Sequence, residues 1–96
     1  METVDANSST LAEAATLLGH IDQIVRWLPK AEPPRHDLLS ALTHLERHLA
    51  HDALPRAEIL NLQVHVLRLK GSPLKTLLNR RVAELDELSI SGRRLL

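Results

Sequence analysis

The sequence predicts an all-α domain, either an antiparallel four-helix bundle or a pair of helical hairpins. Of the 96 residues 44% are apolar, yet they include one tryptophan and no phenylalanine or tyrosine. Leucine-rich chains with few aromatic residues pack well as helices and poorly as β-sandwiches. Four segments carry apolar residues at helical spacing, and proline or glycine separates them. A chain of this length holds one modest core, so we expect a single helical domain over residues 10–96.

The first predicted helix spans residues 10–28 and follows a polar segment, residues 1–9, that we expect to be flexible. Thr10 and Glu13 have the spacing of a capping box, in which the two side chains satisfy exposed backbone N–H groups of the first turn. Pro29 ends the helix. Apolar residues at three- and four-residue spacing predict one buried face, formed by Leu11, Ala14, Leu18, Ile21, Val25 and Leu28.

The second predicted helix spans residues 34–51 and follows a stiff, proline-rich connector. Its apolar stripe contains Leu38, Leu42, Leu45 and Leu49. His44, His48 and His51 share an arc of about 60° that lies largely opposite this stripe. Two such histidines can ligate a metal, but the segment lacks the glutamate placement of helical zinc motifs and an evident further ligand. We therefore predict a solvated helix face rather than a metal site or a pH-sensitive contact.

Residues 55–70 allow two secondary structures. Alternating apolar residues typical of a half-buried strand are Leu60, Leu62, Val64 and Val66. Residues at helical spacing are Ile59, Leu62, Val66 and Leu69. No second segment of the chain could pair with a strand here, and an unpaired strand leaves its backbone N–H and C=O groups without partners. We predict a helix over residues 55–70 and keep an intermolecular strand over residues 59–69 as the alternative.

The fourth predicted helix spans residues 73–91. Gly71 suits a left-handed helix stop, and Ser72 followed by proline suits an N-cap and a first-turn proline. We expect Gly92 to end the helix, because a stop at Leu88 would place three carboxylates against the negative end of the helix dipole. The apolar residues predicted to be buried are Leu74, Leu77, Leu78, Val82, Leu85 and Leu88.

Composition and charge remove several classes of function. Lys and Arg equal Asp and Glu at 12 each, and the basic stretch over residues 68–81 lacks aromatic residues that would stack on bases, so nucleic-acid binding is not predicted. The absence of cysteine excludes disulfides and thiolate chemistry. No apolar run approaches the roughly 18 residues of a membrane span, and we expect a cytoplasmic protein. No catalytic constellation is readable, so we predict no enzyme activity, cofactor or small-molecule substrate.

The segment Leu67-Arg68-Leu69-Lys70-Gly71-Ser72 is similar to the H-x-L-K-G-S signature of histidine phosphotransfer domains, which are helical bundles. Leu67 stands where that family has its phosphorylatable histidine, and His65 lies about 200° away around the helix. The resemblance implies an inactive relative that binds a response regulator near Leu67 and Lys70. An ordinary helix stop explains the same residues.

The last predicted helix resembles the C-terminal helical region of flagellar export chaperones of the FliT type in its residues 77–88, LLNRRVAELDEL, and in Gly92-Arg93-Arg94. Similar helical hairpins occur in other small type III secretion chaperones. The resemblance implies a protein that holds an aggregation-prone export substrate by laying the substrate's apolar helix against the bundle. The residues predicted to bind this partner are Leu74, Leu77, Arg81, Leu85 and Leu88.

We therefore predict a small helical adaptor or chaperone that binds a helical segment of another protein, or a second copy, along an apolar groove. The alternatives are the inactive phosphotransfer-like domain and a self-assembling structural component that uses residues 59–69. Trp27, the only aromatic residue, is predicted to cover the end of the bundle, with an exposed interface anchor as the alternative.

Overall fold

The computed structural model describes the backbone of residues 2–95 and the side chains of residues 9–90. Four helices follow one another along the chain: α1 Glu2–Arg26, α2 Pro33–Ala50, α3 Arg56–Leu67 and α4 Pro73–Leu95. The described residues contain no strand, so the predicted all-α class is confirmed.

The helices are arranged as a four-helix bundle. Helix α1 packs on α2 and α4, and α3 packs on the same two helices, whereas no Cα atoms of α1 and α3, or of α2 and α4, lie within 8 Å of each other in the described chain. Short connections make consecutive helices antiparallel, which is the up-and-down topology of such bundles. The molecule measures 47 × 21 × 20 Å, because α1 and α4 are longer than the α2–α3 hairpin beside them.

Each helix turns its apolar stripe toward one shared core. The stripe predicted for α1 is buried from Ala14 to Leu28, and α2 buries Leu38, Leu42 and Leu45 as its spacing predicts. The fully buried side chains of the other two helices are Ile59, Leu62, Val66, Leu78, Val82 and Leu85. Leucine, isoleucine and valine thus fill the core without an aromatic residue.

The longest helices extend beyond their predicted ends. Helix α1 begins at Glu2, so Thr10 lies inside it and the predicted start at a capping box is wrong. Helix α4 continues to Leu95, past the predicted stop at Gly92. Serine and threonine also fit inside a helix when the hydroxyl bonds to the preceding turn, as Thr16 does by donating to the Ala12 carbonyl at 3.1 Å.

Residues 56–67 are helical, so the strand alternative is wrong. The alternating pattern has a helical explanation, because residues two apart lie about 200° apart around a helix. Leu62 and Val66 therefore face the core, while Leu60 and Val64 face away from it. The helix ends at Leu67, three residues before the predicted end.

The turn between α2 and α3 is closed by a residue in the left-handed conformation, Asp52, with φ 58°. The N–H of Ala53 donates to the His48 carbonyl at 2.9 Å, and the N–H of Asp52 donates to the Leu49 carbonyl at 3.0 Å. These two bonds form a Schellman motif, in which glycine is the usual left-handed residue. Sequence reasoning did not predict this motif, because aspartate adopts the left-handed conformation only occasionally.

The turn between α3 and α4 uses side chains. Gly71 was predicted to be left-handed, but the described glycines have no positive φ. Lys75 instead closes the end of α3, because its Nζ donates to the carbonyls of Leu67 at 3.1 Å and Leu69 at 2.8 Å. Ser72 caps α4 as predicted, since its hydroxyl accepts a hydrogen bond from the N–H of Lys75 at 3.2 Å.

Candidate protein-interaction site

The residues predicted to bind a partner lie on one side of α4, at different depths. Leu85 is fully buried and belongs to the core, where no partner can contact it. Leu74, Leu77 and Leu88 are half-buried and pack against the core. Arg81 pairs with Glu84, its Nη1 lying 2.8 Å from Oε2. The strong periodicity that suggested a binding surface on α4 is therefore mainly the signature of its buried face.

The large apolar side chains that are exposed lie mostly on α3. Leu60, Val64 and Leu67 are 40%, 54% and 59% exposed, and we call them the outer stripe. Spacings of four and three residues place them within an arc of about 60°, so they form one continuous row along the helix. The opposite side of α3 is fully buried. Helix α3 is thus apolar on both sides, and one apolar side has no neighbour in the described chain.

Ion pairs hold both ends of α3. Nε of Arg56 lies 2.9 Å from Oδ1 of Asp86 in α4, and this hydrogen bond raises the pKa of the guanidinium. Nη1 of Arg68 lies 3.0 Å from Oδ2 of Asp37 in α2. Between these pairs, the outward-facing residues of α3 carry no charge. The outer stripe is therefore an uncharged apolar strip whose cationic ends are already neutralised.

The connections at one end of the bundle bring a further exposed apolar group to the same end as Leu67. The backbone N–H of Lys70 donates to Oε1 of Glu32 at 3.3 Å, which joins the α3–α4 turn to the α1–α2 connection. Trp27 lies in that α1–α2 connection and is 60% exposed. The prediction that Trp27 covers the bundle end is therefore wrong, and the indole is available for contact with another molecule.

A second apolar surface lies between α1 and α4. It is an open groove of about 590 Å³, which we call the α1–α4 groove, and it is lined by Ser9, Ala12, Glu13, Thr16, Leu17, Glu84, Glu87 and Leu88. Leu17 and Leu88 are half-buried, and Glu13 and Glu87 are exposed beside them. Of the predicted partner-binding residues, Leu88 lines this groove, and Arg81 borders it through Glu84.

The histidines of α2 show the exposure that was predicted for them. His44, His48 and His51 all face solvent. Among the residues that the structure describes, no group of three or more histidine, aspartate or glutamate side chains is placed to hold a metal ion. His65, near the phosphotransfer-like segment, has its Nδ1 3.0 Å from Nη1 of Arg68, so this ring nitrogen is engaged within the fold.

Sequence reasoning missed the outer stripe, although its signal was present. The alternation of apolar and polar residues over 60–66 was attributed to a possible strand, whereas in a helix it marks two apolar sides. A helix that is apolar all round is normally buried on all sides. Here one side of α3 is exposed.

No described helix is both long enough and apolar enough to cross a bilayer. Comparisons with protein-family models, with curated proteins and with solved structures find no match to this chain.

Proposed function

We propose that this chain is a small helical protein-binding domain that takes a helical segment of another protein along the outer stripe. The observation that carries the proposal is the exposure of Leu60, Val64 and Leu67 in one uncharged row. A partner helix recognises such a surface through apolar residues at three- and four-residue spacing. Contiguous exposed apolar groups on small proteins commonly mark interaction surfaces.

The small size of the outer stripe limits the binding free energy that it can contribute by itself. Complete burial of a leucine or valine side chain contributes about 1.5–3 kcal/mol. Since the three side chains are 40–59% exposed, covering them contributes roughly 2–5 kcal/mol of binding free energy in total. A complex with a micromolar Kd requires a binding free energy of about 8 kcal/mol. The partner must therefore cover more than the stripe, and Trp27 offers an exposed large apolar group at the same end of the bundle as Leu67.

A narrower form of the proposal is an export chaperone of the type III secretion or flagellar kind. Its support is the resemblance of residues 77–88 alone. In this form the bound helix belongs to an export substrate that aggregates when unbound.

The proposal is tested with a photo-crosslinking amino acid at Val64, using Arg47 on the exposed side of α2 as the control position. We expect a discrete adduct with another protein from position 64 and none from position 47, in the cells that produce the chain. A second substitution, Leu67→Gln, should reduce the adduct several-fold because it removes one apolar contact.

Four results would contradict or redirect the proposal. Adducts of equal yield at both positions, or none at position 64, would reject the outer stripe as a binding surface. An adduct with a second copy of the chain would favour the self-assembling component. A response regulator as the captured protein would favour the phosphotransfer-like alternative.

A further inference from the structure

The α1–α4 groove is a second surface, separate from the outer stripe. It is formed by α1 and α4, whereas the outer stripe lies on the exposed side of α3. Its floor is apolar, with the half-buried Leu17 and Leu88, and Ala12 and Thr16 form one wall. Because the groove is open between two long helices, its shape suits a row of side chains from a third helix packed at about 20° to them.

The rim of this groove is acidic and incompletely paired. Glu84 is neutralised by Arg81, whose Nη1 lies 3.1 and 2.8 Å from its two carboxylate oxygens. Glu13 and Glu87 have no ion-pair partner among the described residues. Residues 1–25 contain no lysine or arginine, so α1 supplies no cation to the groove before Arg26. Within residues 9–90, two carboxylates without an ion-pair partner therefore lie beside an apolar floor.

We infer that the α1–α4 groove binds a cationic amphipathic helix from another protein. Its apolar row packs on Leu17 and Leu88, and its lysine or arginine flanks meet Glu13 and Glu87. Exposed ion pairs add little affinity each, so the apolar row supplies most of the binding. The charges select the partner and speed its association, as complementary charges do at other interfaces.

The outer stripe of a second copy does not provide this complement. The exposed apolar row on α3 is flanked by Arg56 and Arg68, but Asp86 and Asp37 already neutralise both. The described chain therefore offers no apolar row with free cationic flanks on α3. Together with the outer stripe, the groove would let one chain join two different partners.

The inference is tested with fluorescently labelled 18-residue helical peptides that share one apolar row and differ only in lysine or glutamate flanks. We expect the lysine peptide to bind at least tenfold more tightly than the glutamate peptide at low salt, with the difference shrinking in high salt. Ala12→Arg should abolish binding, because Ala12 is exposed and the added side chain fills and neutralises the groove without entering the core.

Three variants locate the bound peptide. Glu87→Gln should weaken binding of the lysine peptide several-fold, whereas Glu46→Gln, an equal charge removal on the exposed side of α2, should leave it unchanged. Val64→Gln should also leave it unchanged, which separates this site from the outer stripe. Circular dichroism of each variant confirms that the helices are intact.

Several outcomes would overturn the inference. These are equal binding of the two peptides, no binding of the lysine peptide at millimolar concentration, or loss of binding in Val64→Gln but not in Ala12→Arg. Self-association that Ala12→Arg removes would show that a second copy occupies the groove instead. None of these results alters the crosslinking test of the outer stripe.

Discussion

The two sides of α3 carry the same kinds of side chain at the same helical spacing, yet one is buried and the other is exposed. Ile59, Leu62 and Val66 are fully buried, whereas Leu60 and Val64 are about half exposed. The difference does not lie in the residues themselves. It arises because α2 and α4 both pack on α3, while no described element covers its opposite side. The inner row therefore stabilises the fold, whereas the outer row remains exposed to water.

The largest expected contrast comes from truncating one leucine on each side. Leu62→Ala removes a fully buried side chain and should lower the free energy of unfolding by about 2–5 kcal/mol, through lost burial and the cavity that remains. Leu60→Ala should lower it by less than about 1 kcal/mol, because water already reaches that side chain. Urea unfolding of the two variants measures the difference. Equal losses would mean that the outer row is also part of the core.

An isosteric pair of substitutions tests polarity without changing side-chain size. Val66→Thr places a hydroxyl in the core and should cost about 1–3 kcal/mol of unfolding free energy. Val64→Thr should change it by no more than about 0.5 kcal/mol, since the hydroxyl remains in water. Thermal unfolding followed by circular dichroism gives both values. A cost at Val64 similar to that at Val66 would contradict the assignment of the two sides.

The position of α3 also depends on how its end is held. Lys75→Met removes the hydrogen bonds from Nζ to the carbonyls of Leu67 and Leu69. It should lower the free energy of unfolding by about 1–2 kcal/mol. Lys30→Met, at an exposed lysine in the α1–α2 connection, is the control and should have no effect beyond about 0.5 kcal/mol. Hydrogen exchange of the last turn of α3 should accelerate only in Lys75→Met. Unchanged exchange there would argue against the lysine cap.

The smallest effects come from placing alanine in each turn that flanks α3. Gly71→Ala should raise the unfolding free energy by about 0.4–1 kcal/mol, since this glycine has no positive φ and an added Cβ meets no atom within 4 Å. Asp52→Ala should lower it by about 1 kcal/mol, because alanine tolerates the left-handed conformation less well than aspartate. Chemical denaturation shows whether each substitution raises or lowers the free energy of unfolding. Stabilisation by both substitutions would show that Asp52 is not held left-handed in solution.

Helical periodicity predicted the core of α1, α2 and α4 well. Leu18, Leu42 and Leu78 lie on single apolar stripes, and a single stripe on an otherwise polar helix has only one side that can be buried. The same argument could not distinguish binding residues from core residues on α4. Leu85 was predicted to bind a partner, but it lies at the centre of the stripe that packs inward.

Three features were determined by the sequence by itself: the helical class of the chain, the positions at which most helices end, and the apolar side of α1, α2 and α4. These features depend on residues within a few positions of one another. Tertiary structure alone decided which side of α3 is covered, because both sides are apolar and only the packing of α2 and α4 distinguishes them. It also decided that Glu13 faces Glu84 and Glu87 across a groove. Charges some seventy residues apart along the chain meet only when the bundle closes, so no local pattern records them.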